Sequence, residues 1–289
     1  MTRRGATFTG FVAILLWALL ALLTVGSAPT PPLLLNAICF GIGGGLGLIW
    51  VAASGELGKL RQVPVGVYVF GAAGLFGYHA LYFSALRLAP PAQAGLIAYL
   101  WPLLIVLFSG LLPGETLRRG HLAGALLGFA GAALILSGAG GLGFRTAYLP
   151  GYGMALLCAL TWSGYSVLSR RLGQVPTASV AVFCLASAAL SALLHLWIEP
   201  TVWPRGAIGW GATLALGLGP VGLAFYVWDI GVKRGDIQLL GTASYAAPLM
   251  STLILVITGI AAPSWALGAA AALITAGALV AARASLRHA

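Results

Sequence analysis

The chain has 289 residues, of which 60% are hydrophobic and 7% charged, and its mean hydropathy is +1.01. A soluble domain carries about a quarter charged residues, so this composition excludes a water-soluble globular fold and points to an all-α membrane protein with the lipid bilayer as partner. The net charge of +10 does not indicate nucleic acid, because the basic residues lie in ones and twos between apolar runs rather than in one patch.

Ten apolar runs follow one another: 8–27, 33–54, 64–86, 92–111, 119–138, 151–169, 177–197, 207–230, 237–258 and 263–282. Such lengths suit helices crossing a hydrocarbon core of about 30 Å. The runs are continuous rather than alternating, and rich in Ala, Leu and Gly, which argues against strands. Run one follows Arg3 and Arg4 and ends on small residues, as a secretory signal peptide does. Its apolar stretch is long for that, and the repeat described below needs it, so it is read as a retained helix, with Trp17 near its middle. Run two contains GIGGGLG (41–47) and run five Gly124 and Gly128, spacings that let helices approach closely.

Run three contains GYHALYFSAL. Tyr78 and Tyr82 fall one turn apart on one face, and Gly71 and Gly74 continue it, so the face can rest on another helix and still leave space. His79 is the one ionisable side chain, Tyr and Cys apart, at clear membrane depth. Such a residue defaults to a functional hypothesis, as proton acceptor or as partner of a substrate carboxylate. A hydrogen-bonded structural histidine fits equally. Run four brings Tyr99, Trp101 and Pro102 in AYLWP, run six Trp162, run eight Pro220, and run nine Tyr245 and Pro248 in SYAAP. A proline removes a backbone donor and clashes with the preceding turn. Pro102, Pro220 and Pro248 are therefore expected to bend their helices, either as hinges or gates or for packing alone.

With the N-terminus in the cytoplasm, Arg3, Arg4, Lys59, Arg61, Arg118, Arg119, Arg170, Arg171, Lys233, Arg234, Arg283 and Arg287 fall inside, and Arg87, Arg145 and Arg205 outside. That twelve-to-three division predicts both termini in the cytoplasm. The two halves also resemble each other. At an offset of 146, Arg87 falls on Lys233, Gly95 on Gly241, Tyr99 on Tyr245 and Pro102 on Pro248, and at 145 Trp17 falls on Trp162. This predicts two five-helix repeats, 1–143 and 144–289, inserted in opposite senses because five is odd. Inverted repeats recur in secondary transporters, with the substrate site near the midplane where helices are broken.

With these features, LLWALL and ALTWSGYSVLSRR at the repeat openings, and PGETL before the fifth helix, the whole chain resembles the drug/metabolite transporter superfamily. It is most similar to the ten-helix exporters built from two EamA-type repeats. The second half has GIAAP where the first has PGETL, so the repeats have diverged there. The aromatic cluster of helices three and four resembles that of bacterial exporters of aromatic amino acids. The resemblance implies a multi-pass protein of the bacterial inner membrane that exports amino acids, without a cofactor.

The residues themselves are compatible with that expectation. Tyr78, Tyr82, Tyr99, Trp101, Trp17, Trp162 and Tyr245, with His79, are the candidate substrate-binding residues, lining an aromatic central cavity that stacks on planar side chains. An interfacial belt is the alternative, and Tyr82 lies nearer a run end, where belts occur. All five acids (Glu56, Glu115, Glu199, Asp229, Asp236) fall in loops or at run ends, and Asp229 is expected to pair with Lys233 one turn on. With no intramembrane carboxylate, carboxylate-driven antiport is disfavoured. A net-neutral amphipathic cargo such as an amino acid fits, moved by facilitation or weak proton coupling through His79. Export of hydrophobic organic cations or drugs by cation–π contact is the other reading. Cys39, Cys158 and Cys184 lack metal-ligand spacing, and nothing resembles an enzyme's paired carboxylates. A monomer is expected.

Overall fold

A computed structural model describes residues 1–137 and 145–286. The boundary expected between 143 and 144 lies outside the described residues, as does Arg287. Among the described residues the regular structure is helical throughout, and nine helices are long and apolar enough to cross a membrane. These are α1 (Arg3–Gly26), α2 (Pro32–Ala53), α3 (Val65–Leu88), α4 (Pro91–Ser109), α5 (Arg119–Leu136), α7 (Ser179–Ile198), α8 (Gly206–Arg234), α9 (Ile237–Ile257) and α10 (Trp265–Leu286). Between α5 and α7 runs α6, Leu149–Arg171, which has 23 residues but is more polar. Its second half carries Thr161, Ser163, Ser166 and Ser169 and ends on Arg170 and Arg171.

Four of these helices are interrupted. α4 breaks at Tyr99–Leu100 and α9 at Ser244–Tyr245, with Pro102 and Pro248 in the first turn of the segment that follows. The cause is the missing proline N–H, which leaves the carbonyls of Ala98 and Ser244 without their helical donor. At the breaks the backbone tightens to three-residue turns, Leu100 N to Ile97 O at 3.1 Å and Ala247 N to Ser244 O at 3.1 Å. In α8, Pro220 falls in a wide π turn, Gly219–Leu223. α1 breaks at Ala18–Leu19, where neither glycine nor proline signals it.

Close packing depends on small residues. A Cβ at Gly43 would stand 2.6 Å from Gly222 Cα, so α2 lies directly on the π turn of α8. Likewise a Cβ at Gly124 would meet Gly277 O at 2.5 Å, between α5 and α10. Both stretches serve helix approach, as their spacing suggests. Gly71 and Gly74 behave differently from the expected open face. Phe183 fills the notch over Gly71 and Tyr165 the notch over Gly74, because flat rings use the missing Cβ volume. The three cysteines are buried and free.

Candidate functional site of interlocked aromatic rings

The breaks converge on one place. Trp17 stands just before the α1 break, Tyr99 in the α4 break and Trp101 just after it, while Trp162 comes from the middle of α6. Phe225 and Trp228 follow the π turn of α8. Ring centroids lie 5.9 Å apart for Trp17 and Trp162, 6.0 Å for Trp17 and Trp101, and 5.1 Å for Trp17 and Trp228. Several contacts are edge-to-face, the geometry that aromatic quadrupoles favour. The Trp17 indole N–H donates to Pro220 O at 3.2 Å, tying the α1 break to the π turn. The Trp228 N–H donates to Ser166 Oγ at 3.1 Å.

Beside this cluster lies a cavity of about 80 Å³. Its lining includes six of the eight candidate binding residues, Trp17, Tyr78, His79, Tyr99, Trp101 and Trp162, together with Pro220 and Phe225. Tyr82 does not line it. Its ring lies parallel to that of Tyr78, with centroids 6.2 Å apart. Tyr245 also lies elsewhere. It is fully buried against Gly128, and its hydroxyl accepts from Leu103 N at 3.1 Å. That N–H sits in the first turn after the α4 break and would otherwise lack a partner. Pro102 and Pro248 are buried near the cavity without lining it.

The polar atoms of the lining differ in their commitments. His79 Nδ1 lies 2.8 Å from Leu75 O. A carbonyl only accepts, so Nδ1 carries the proton and Nε2 is left for other partners. The indole N–H groups of Trp101 and Trp162 and the hydroxyls of Tyr78 and Tyr99 make no hydrogen bond among the described residues. None of the five acids lines the cavity.

The acids are instead engaged elsewhere. Glu199 is 1% exposed in its side chain and accepts from Leu33 N at 3.0 Å, Leu34 N at 3.3 Å and Arg87 at 3.1 Å, with His195 Nδ1 3.0 Å away. At the opposite end of α4, Glu115 pairs with Arg3 at 3.2 Å and with Arg170, which also donates to Val232 O and Gly235 O. Asp229 pairs with Lys233 at 2.9 Å, as its spacing predicts. Asp236 caps α9 through Leu239 N, and Glu56 pairs with Lys59.

Phe225 and Trp228 escaped the sequence reading. The offset of 146 would have found them, since it carries His79 onto Phe225 and Tyr82 onto Trp228.

An apolar helical bundle with broken helices around a buried aromatic cavity has the architecture of a membrane transporter. The profile of the EamA-like transporter family matches residues 4–137 and again 149–283, and the chain belongs to that family. It is 60% identical over 283 residues, covering 97% of this chain and 98% of the relative, to the aromatic amino acid exporter YddG of Ancylobacter novellus. It is 25% identical over 267 residues, 87% of this chain and 88% of the relative, to the aromatic amino acid exporter YddG of Escherichia coli. A crystal structure of a chain 59% identical covers 99% of both chains with a TM-score of 0.95.

Proposed function

We propose that the chain exports aromatic and other hydrophobic amino acids from the cytoplasm across the bacterial inner membrane, by alternating access between two inverted five-helix repeats, 1–143 and 144–289. In this reading α6 is the tenth span, and both termini are cytoplasmic. The observation that carries it is the meeting of Trp17, Trp101, Trp162, Tyr78 and His79 at a cavity flanked by the breaks of α1 and α4 and the π turn of α8. Helix pairing supports the repeat. α2 packs on α7, α4 on α9, α5 on α10, α1 on α8 and α3 on α6. Exchanging the halves maps the first three pairs onto themselves and the last two onto each other, as a pseudo-two-fold axis requires.

The indole and phenol rings stack on the cargo's planar side chain. The N–H groups of Trp101 and Trp162 and the Tyr hydroxyls receive its carboxylate. A neutral His79 offers Nε2 as an acceptor, which suits the α-ammonium. Binding a carboxylate through His79 would need a second proton on the ring. Pockets that enclose small ligands commonly measure about 300–1,000 Å³, so a cavity of about 80 Å³ must widen to take an indole. The segments flanking Tyr99 and Tyr245, with Pro102, Pro248 and Pro220 as hinges, supply that movement. Glu115 and Glu199 hold opposite ends of the bundle shut. With no acid in the cavity, transport runs down the cargo's gradient or couples weakly to protons through His79.

The test is flux of radiolabelled tryptophan, phenylalanine, threonine and tetraethylammonium in liposomes holding the purified protein, without an imposed ion gradient. Movement of tryptophan and phenylalanine is expected. Movement of the ammonium alone would overturn the amino-acid reading in favour of organic cations.

A further inference from the structure

A larger space lies far from the aromatic cavity. A cleft of about 810 Å³ opens between the start of α1, the loop before α5, the start of α9 and the end of α10. One part of its wall is polar, with Arg3, Arg4, Glu115 and Asp236. The other is apolar, with Phe8 and Phe11 on α1 and Leu239 on α9. Phe8 is 72% exposed on a helix long and apolar enough to span a membrane, so this wall faces acyl chains at the level where the arginines reach headgroups.

Charge decides what the cleft accepts. Glu115 is neutralised twice over, by Arg3 and Arg170. Asp236 is committed to the first turn of α9, where Leu239 N donates to Oδ1 at 2.9 Å. Arg118, next to the cleft, donates to Ala284 O at 3.3 Å and forms no ion pair among the described residues. Arg4 lines the cleft and has neither an ion pair nor a hydrogen bond among the described residues. Counting Arg118 and Arg170 beside it with Arg3 and Arg4 against Glu115 and Asp236, the polar side carries a net positive charge of two, while the other side is apolar.

We propose that this cleft binds an anionic phospholipid of the leaflet at the N-terminal end, with the headgroup phosphate on Arg3 and Arg4 and an acyl chain along Phe8, Phe11 and Leu239. Basic recesses between membrane helices recognise acidic headgroups in this way, each arginine near the surface adding about fivefold in affinity. The phosphate approaches Arg3 beside Glu115, so lipid occupancy and the Glu115 cluster share one arginine.

The experiment is native mass spectrometry of the purified full chain in detergent, titrated with dioleoyl phosphatidylglycerol or dioleoyl phosphatidylcholine. The wild type is expected to retain phosphatidylglycerol in preference, and Arg4→Gln to lower that preference about fivefold. Arg3→Gln with Arg4→Gln lowers it further. Arg205→Gln, a cation assigned to the opposite surface, leaves it unchanged. The Arg4 side chain forms no ion pair or hydrogen bond among the described residues, so Arg4→Gln separates lost binding from misfolding. Equal retention of both lipids, or an unchanged preference in Arg4→Gln, overturns the proposal. So does complete displacement by millimolar inorganic phosphate, which would mark a soluble-anion site. Displacement by tryptophan would mark a cargo vestibule and overturn it too.

Discussion

Replacing Gly43 by alanine should damage the protein, while the same change two residues earlier should not. A Cβ at Gly43 would lie 2.6 Å from Gly222 Cα and 3.3 Å from the carbonyl oxygens of Gly217 and Val221. All three contacts are backbone of α8, two in the π turn and one just before it, which cannot rotate away as a side chain can. Overpacking of this kind costs about 1–3 kcal/mol. The alanine returns about 1 kcal/mol of helix propensity, so Gly43→Ala is destabilising by roughly 0–2 kcal/mol. At Gly41 a Cβ meets nothing within 4 Å, so Gly41→Ala keeps only the gain. The two variants should therefore differ by about 1–3 kcal/mol in thermal unfolding in detergent. Pushing α2 off the π turn also displaces Pro220 and Val221, which line the cavity, so Gly43→Ala should lose tryptophan flux and Gly41→Ala keep it. Equal unfolding temperatures for the pair would refute the close approach of α2 and α8.

Tyr245→Phe should cost about 1–2 kcal/mol of stability, because it strands the Leu103 N–H at the α4 break, and unfolding in detergent checks this. Glu199→Gln should destabilise more than Arg87→Gln, as the carboxylate is buried with several partners while the Arg87 side chain is 49% exposed. Thermal scans of both variants decide that order. His79→Leu should lower tryptophan flux and erase its advantage over indole-3-propionate, which lacks the ammonium. A His79→Leu protein that still discriminates between the two would remove His79 from the ammonium site.

The apolar runs, their lengths and the interruptions of α4 and α9 were legible because continuous hydrophobicity and proline act locally. So was the Asp229–Lys233 pair, one turn apart on a single helix. The α1 break left no such mark. Trp17, Ala18 and Leu19 are ordinary helix residues, and what distinguishes the site is Pro220 O, brought there from α8. Glu115 and Glu199 read as loop acids because their partners lie 112 residues away, Arg3 for one and Arg87 for the other. Gly71 and Gly74 do rest against neighbouring helices, but no periodicity states that Phe183 and Tyr165 fill the space expected there. Tyr245 illustrates a limit of reasoning by symmetry. It matches Tyr99 in sequence, yet its hydroxyl serves the backbone of the other half instead of the cavity.

The central claim is that the aromatic cavity is where cargo binds. It is tested most directly by tryptophan counterflow in liposomes with the wild type, Trp101→Ala, Tyr78→Ala and Trp197→Ala, the last an aromatic residue 88% exposed on α7. Counterflow lost in the first two variants and retained in Trp197→Ala is the predicted result. Normal counterflow in Trp101→Ala and Tyr78→Ala, with the proteins folded, would contradict the account and move the binding site elsewhere.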